Sequence, residues 1–253
     1  MVQPGHNPAK PEIKNPYWQN ALKEVYRSPE EIVAQVVRDQ RRGVYLPVLV
    51  RGDTTRKEIA LTFDDGPHPN RTLALLKILR DKKVPATFFV IGKMVQKYPD
   101  LARAIVRGGH TIANHTFSHV TLTKIPEPYI ETEWRAAQEI IHQTTGVWPK
   151  FARPPGGDYD AGVIHAAAVN RLTVALWTDD PGDFANPGAP VIEQRVLSKI
   201  SNGGIVLLHD GVEETLQILP QIIDYARKQG YTFVSLGKLY AEAKNLNRNE
   251  KVK

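Results

Sequence analysis

The sequence predicts an α/β fold built on a parallel sheet, and three observations carry that prediction. Short apolar runs rich in β-branched and aromatic residues recur at 59–64, 86–91, 111–114, 150–153, 173–177, 205–208 and 232–235, each with the length and composition of a buried strand. Segments of helical periodicity lie between them: Leu75, Leu76 and Leu79; Leu101, Ile105 and Val106; Ile130, Trp134, Ala137 and Ile141; Leu216, Leu219, Ile222, Ile223 and Ala226. Several of these segments stop at Gly108, Gly146 or Gly230, the residue type favoured just past a helix end. Near-continuous apolar strands alternating with helices imply a parallel sheet covered on its faces. Seven such units suit a barrel or an open doubly wound sheet.

Ahead of the first strand the pattern changes. Residues 1–16 carry Pro4, Pro8, Pro11 and Pro16 and few apolar groups, which reads as a tail that cannot pack on itself. Residues 17–42 turn helical, with Trp18, Leu22, Val25, Ile32, Val36 and Val37 at helix-like spacing and Ser28-Pro29-Glu30-Glu31 as a cap followed by Pro at the first helical position. This is expected to be a helical appendage docked on the α/β core, so that residues 1–55 form a tail and extension. The far end, 242–253, is polar and is expected to be a frayed tail.

Composition narrows the function. The chain has 253 residues, 42% hydrophobic and 24% charged, a globular balance. It has no apolar run of about 18 residues, so no transmembrane helix is expected. The first sixteen residues contain no apolar h-region, so no export signal is expected in this chain. Cysteine is absent, which excludes disulfides, thiolate zinc sites and cysteine nucleophiles and leaves His and carboxylate as metal ligands. The formal charge of +6 favours anionic partners such as an acidic cell-wall polymer. Nucleic acid is not expected, because the basic residues are scattered and no basic stripe is interleaved with aromatics.

Parallel α/β folds place their chemistry at the carboxyl ends of the strands. The first strand here runs into Asp64-Asp65-Gly66-Pro67, the third into His115 with His119 behind it, and the fourth into Arg153-Pro154-Pro155-Gly156-Gly157. The fifth ends at Trp177 before Asp179, Asp180 and Asp183, and the sixth at His209-Asp210. Asp-Asp before Gly-Pro is also a good turn sequence. On an extended chain its two carboxylates point to opposite sides, one toward a metal and the other toward a proton. His115 and His119 are four apart, as two ligands on one helical turn would be, although a His pair is often structural. With a carboxylate from a neighbouring strand they make a three-ligand site with open positions for water and substrate. His209 closes an apolar strand and would otherwise be a half-buried His bonded to backbone.

The stretches TFDDGP (62–67), HTFSH (115–119), RPPGG (153–157), WTDDPGDF (177–184) and IVLLHD (205–210) resemble the five ordered motifs of the polysaccharide deacetylases of carbohydrate esterase family 4, the NodB homology domain. The resemblance spans residues 56–241. It implies a distorted (β/α)7-type barrel behind the N-terminal helical extension, and metal-dependent removal of acetyl groups from N-acetylglucosamine-type residues of a peptidoglycan-like or chitin-like polysaccharide. O-deacetylation of acetylxylan, or a silent glycan-binding module on the same fold, are the alternatives. Such substrates lie outside the membrane or in the cell wall.

Carried over by position, Asp64 resembles the general base, and Asp65 the metal-binding aspartate that His115 and His119 complete. The resemblance implies one divalent ion, zinc foremost, with cobalt, nickel or manganese as alternatives. His209 matches the general acid that protonates the departing amine, Arg153 the residue that orients the base, and Asp183 the carboxylate that supports the His, with Asp180 as runner-up. Gly156 through its backbone N–H, Pro154, Leu207, Phe184 and Trp177 are the implied substrate contacts. Two positions depart from the pattern: many members carry Tyr where Gly156 stands and Trp where Phe184 stands.

Overall fold

The computed structural model describes residues 26–44 and 46–250. The Pro-rich tail and the apolar positions Trp18, Leu22 and Val25 lie outside the described residues. The β/α alternation is as the sequence predicts. Eight strands form one parallel sheet among the described residues: β1 (Val48–Leu49), β2 (Glu58–Gly66), β3 (Ala86–Val90), β4 (Thr111–Asn114), β5 (Phe151–Ala152), β6 (Thr173–Ala175), β7 (Gly204–His209) and β8 (Thr232–Phe233). Their order is β1-β6-β5-β4-β3-β2-β7, and β8 pairs with the first residues of β2. The seven expected strands are β2 to β8. The unexpected β1 is only two residues long, too short for a periodic signal, and exists because Val48 and Leu49 pair with Val174 and Ala175.

The sheet curls toward closure past the end of β6. Thr178 N donates to Ile205 O at 2.9 Å and Leu207 N donates to Asp179 O at 2.9 Å, so the continuation of β6 meets β7 and the sheet becomes a distorted barrel. Around it lie α1 (Pro29–Arg41), α2 (Thr72–Asp81), α3 (Gly92–Lys97), α4 (Pro99–Arg107), α5 (Glu127–Thr145), α6 (Ala161–Val169), α7 (Ala189–Lys199), α8 (Glu213–Lys228) and α9 (Leu236–Glu250). None of the described helices is long and apolar enough to cross a membrane.

Strand periodicity decides what faces inward. In β2, Ile59, Leu61 and Phe63 pack outward in one cluster with Leu75 and Leu79 of α2 and Leu219 and Ile222 of α8. Ala60 faces the other way, clustered with Phe89, Trp177 and Leu207, and period-two geometry sends Thr62 and Asp64 to that same inner face. In β7, Val206 and Leu208 belong to the outer cluster and Ile205 and Leu207 to the inner one, so His209 also turns inward. Burial of each such Leu, Ile or Phe stabilises the fold by about 1.5–3 kcal/mol, which lets the barrel hold charged groups at its rim.

The ends match expectation in part. Helix α1 begins at Pro29 behind the Ser28 cap that the sequence marks, whereas residues 26–28, expected within the helical stretch, are non-helical. Ser28 Oγ accepts from Glu31 N at 3.2 Å while Glu31 Oε2 accepts from Ser28 N at 2.8 Å, a reciprocal cap that fixes the start of the helix there. Residues 242–250, expected as a polar tail, continue α9, because Leu239 is buried and Tyr240 and Ala243 lean on the inner cluster. Helix α4 stops at Gly108 as expected, and the following Gly109 takes the left-handed conformation, at φ 79°.

Candidate metal centre and catalytic rim

Asp64 ends the inner face of β2 and is 1% exposed. Its Oδ1 accepts from Arg153 Nη1 at 2.7 Å. Arg153 follows β5 and is itself fully buried; Nη1 also donates to Thr62 Oγ1 at 2.9 Å, Nε to Ala175 O at 3.0 Å and Nη2 to Leu176 O at 3.1 Å. The guanidinium lies 4.0 Å from the Phe89 ring centroid and 5.4 Å from that of Trp177. Burial pulls its pKa down against the opposing pull of Asp64, yet an Arg stays charged. Four donor contacts and two aromatic faces hold this fork in one orientation.

Asp65 departs from the strand geometry expected of it. Its φ is 71°, and the register of β2 against β3 shifts between Phe63 and Gly66. The two adjacent carboxylates therefore converge instead of pointing apart: Asp64 Oδ2 lies 3.8 Å and Asp65 Oδ1 3.4 Å from His115 Nε2. Asp65 Oδ1 is also 3.0 Å from His119 Nε2.

The two histidines are not on a helical turn. His115 follows β4 and His119 sits in a loop where Thr116 and His119 both have positive φ, 64° and 58°. Asn114 Oδ1 accepts from Thr116 N at 2.9 Å, Thr116 Oγ1 accepts from His119 N at 3.0 Å, and Glu133 Oε2 accepts from Phe117 N and Ser118 N at 2.9 and 2.7 Å. These side chains take the place of helix hydrogen bonds and tilt the rings to 59° with centroids 4.9 Å apart.

Asp65, His115 and His119 offer ligand atoms that all lie within 4.8 Å of one another. His115 Nδ1 is 2.7 Å from Arg153 O; a carbonyl only accepts, so Nδ1 carries the hydrogen and Nε2 presents a lone pair. That Nε2 and Asp65 Oδ1 are buried atoms without a hydrogen-bond partner. Such facing lone pairs fit a divalent cation. Burial opposes the charge on Asp65, but His115 and His119 beside it hold its carboxyl well below the usual carboxylate range. The cluster is suited to one divalent metal ion.

Across the rim, His209 and Asp64 are register partners on the adjacent strands β7 and β2. His209 Nδ1 is 2.6 Å from Asp183 Oδ1, and Asp183 Oδ2 accepts from His209 N at 2.9 Å and from Thr215 Oγ1 at 2.6 Å. Burial works against a charged imidazole here, but Asp183 outweighs it with help from Asp65 and Asp64, pushing His209 up to about 9. Asp180 instead accepts from Gly182 N at 2.8 Å within its own turn, and burial raises its pKa. Asp210 accepts from Thr72 Oγ1 at 2.6 Å and is pushed up to about 7 by burial.

The implied substrate contacts divide by exposure. Pro154, Gly156, Leu207 and Trp177 are buried, and Phe184 is 41% exposed. Gly156 has φ 65°. The next residue, Gly157, has φ 68°, and a Cβ there would lie 2.5 Å from the Trp177 ring, so only glycine lets this loop close on the barrel. A separate groove of about 700 Å³, lined by Arg135, Gln138, Trp148, Asn170 and Tyr240, reaches Lys150 and Thr173 at the amino ends of β5 and β6 and includes none of the rim residues.

Sequence reasoning missed Thr62, Thr215 and Tyr26. The two threonines are ordinary strand and helix residues until the fold sets them against Arg153 and Asp183. Tyr26 lies in the extension, yet its hydroxyl is 2.9 Å from His209 Nε2; no local signal marks it.

Comparison with known proteins gives a consistent picture. A model of the polysaccharide deacetylase family matches residues 51–175. The peptidoglycan-N-acetylglucosamine deacetylase of Bacillus cereus is 37% identical over 188 residues, covering 72% of this chain and 88% of its own. The chitooligosaccharide deacetylase of a Bradyrhizobium species is 34% identical over 199 residues, 73% of this chain and 91% of its own. Among solved structures, a carbohydrate esterase family 4 pseudoenzyme from Bacillus anthracis aligns with a TM-score of 0.75 at 26% identity, over 78% of this chain and 70% of that one.

Proposed function

The chain belongs to the polysaccharide deacetylase family, carbohydrate esterase family 4, and from that premise we propose that it hydrolyses acetyl groups from N-acetylglucosamine-type residues of a peptidoglycan-like or chitin-like polysaccharide. The observation that carries this reading is the pairing of Asp64 and His209, register partners on adjacent strands beside the Asp65, His115 and His119 cluster. A proton acceptor and a proton donor thus flank one reacting centre.

When bound, a divalent cation supplies Lewis acidity, polarising the acetyl carbonyl and bringing the pKa of water toward about 7 in favourable cases. Zinc suits the two-nitrogen, one-oxygen ligand set, as do cobalt, nickel and manganese. Arg153 holds Oδ1 of Asp64, leaving Oδ2 without a hydrogen bond to take the proton from the attacking water. Asp183 fixes His209 through Nδ1, so the proton delivered to the departing nitrogen leaves from Nε2. Breaking the C–N bond then yields acetate and a free amino sugar instead of an unstable amide anion. The backbone N–H of Gly156 is the candidate donor to the oxyanion, and Pro154, Leu207, Phe184 and Trp177 shape the acetyl pocket around it. Residues 56–241 would form this unit, and its polymeric substrate would lie outside the membrane or in the cell wall.

The likeness to a pseudoenzyme favours one second reading, a glycan-binding module without turnover. Acetate release from peptidoglycan, chitooligosaccharides and acetylxylan, after loading with zinc, cobalt, nickel or manganese, separates the two. Release from an N-acetylated glycan, abolished by chelator and by Asp64→Asn, is the expected result. Saturable binding without acetate under every metal assigns the second reading, and release from acetylxylan alone assigns an O-deacetylase.

A further inference from the structure

The N-terminal extension enters the catalytic rim. Helix α1 is fastened to the domain: Ile32 is fully buried in the inner cluster and Gln35 Nε2 donates to Tyr159 O at 3.1 Å. Just before it, Arg27 N donates to Gly156 O at 3.0 Å, and Arg27 Nε lies 3.9 Å from Asp158 Oδ1. This anchoring sets the neighbouring Tyr26 over His209. The Tyr26 ring stacks on Phe184 with centroids 4.1 Å apart at 27°, stands edge-on to the imidazole at 5.2 Å and 89°, and lies 6.4 Å from Trp177. Its hydroxyl meets His209 Nε2 at 2.9 Å.

That contact falls on the one ring nitrogen the proposed reaction needs. His209 Nδ1 is committed to Asp183 at 2.6 Å, so Nε2 alone can face a departing group. A ring nitrogen has one hydrogen-bonding direction, and a hydroxyl and a substrate nitrogen cannot both occupy it. We propose that Tyr26 caps the leaving-group subsite, its hydroxyl keeping the place of the glycan amide nitrogen until substrate displaces it. The inference rests on the reading of His209 as proton donor. Phe184 and Tyr26 together form the aromatic wall, and the backbone of the adjacent Arg27 ties the extension to Gly156.

A group that binds the free site must be displaced, so it weakens substrate binding by the fraction of molecules it occupies. Tyr26→Phe keeps the ring and its stacking and removes only the hydroxyl. Calorimetric titration of the full chain with chitotetraose is expected to give binding about 3- to 10-fold tighter in Tyr26→Phe than in wild type, the range for loss of one competing hydrogen bond. In acetate release on the same preparations, KM falls by a similar factor while kcat stays within about twofold. A lowered kcat with unchanged KM overturns the proposal by making Tyr26 a proton relay, and equal or weaker binding overturns it outright. The ring-nitrogen resonance of His209 must also move in Tyr26→Phe, and an unmoved resonance overturns the contact itself. If wild type releases no acetate yet Tyr26→Phe binds chitotetraose more tightly, the deacetylase reading fails and Tyr26 competes at a glycan-binding site instead of a leaving-group subsite.

Discussion

The two halves of the site are built in opposite ways. The half proposed to handle protons is dry and closely paired: the side chains of Arg153, Asp64, Asp183 and His209 are between 0% and 3% exposed, and each belongs to a charge pair no longer than 2.7 Å. The metal-binding half is more open: Asp65, at the bent end of β2, and His119, in the loop after β4, are 33% and 21% exposed at the side chain, while His115 between them is buried. Asp65, Thr116 and His119 also adopt left-handed backbone at φ 71°, 64° and 58°, a conformation that costs roughly 1–2 kcal/mol for such residues. Groups that move protons gain strength from a low-dielectric setting and must not swing. Metal ligands can sit on a strained loop, because the ion itself organises them and open positions must face the substrate.

The largest expected effect tests whether both halves serve one reaction. His119→Ala and Asp64→Asn are each expected to lower acetate release by about 10²-fold or more. Metal uptake separates them, because Asp64→Asn still binds one equivalent of zinc and His119→Ala binds it far more weakly. Equal zinc affinity in His119→Ala would remove the distinction.

Stability gives the next contrast. Arg153→Met leaves Asp64 buried without its partner, and loss of one member of a buried pair costs about 3–5 kcal/mol. Chelator-treated His119→Ala is expected to unfold in urea within about 1 kcal/mol of chelator-treated wild type, because the loop carries strain that the substitution does not worsen. If its midpoint falls as far as that of Arg153→Met, the loop is structural and the comparison breaks.

A pH series sharpens the dry half. His209 is pushed up to about 9 from an ordinary 6.5, so its charged form stabilises the fold fully below about pH 6.5, and this contribution is lost as pH rises through about 9. The stability gap between wild type and Asp183→Asn is therefore expected to be widest below pH 6.5 and to narrow by pH 10; a gap constant across that range contradicts the assignment. The smallest effect is expected for Thr215→Val, which removes the hydroxyl 2.6 Å from Asp183 Oδ2. It should cost about 1 kcal/mol, whereas a loss as large as that of Asp183→Asn makes Thr215 an equal partner in holding His209.

Much of this arrangement was legible because strand-end chemistry is local. Asp64, Arg153 and His209 each follow directly from an apolar strand, and the cysteine-free composition leaves His and carboxylate for a metal. What misled was the assumption of regular backbone. Adjacent carboxylates diverge on a flat strand, but the bend at Asp65 brings both to His115. The spacing of His115 and His119 mimics a helical turn, yet Asn114, Thr116 and Glu133 hold a loop there. Their hydrogen bonds reach Glu133 in α5, 16 positions from Phe117, well beyond the period of a helix or strand.

By itself the sequence determined the α/β class and the positions of β2 to β8 along the chain, because strand periodicity is a property of neighbouring residues, and its five motifs implied the family and, through that resemblance, the ligand set of Asp65, His115 and His119. Tertiary structure alone decided that Thr62 and Thr215 back the two charge pairs and that Tyr26 reaches the rim, and it sets Asp183, the carboxylate the motifs ranked above Asp180, against His209. Those pairings join residues between 26 and 183 positions apart. Only closure of the barrel and docking of α1 bring them within hydrogen-bond range.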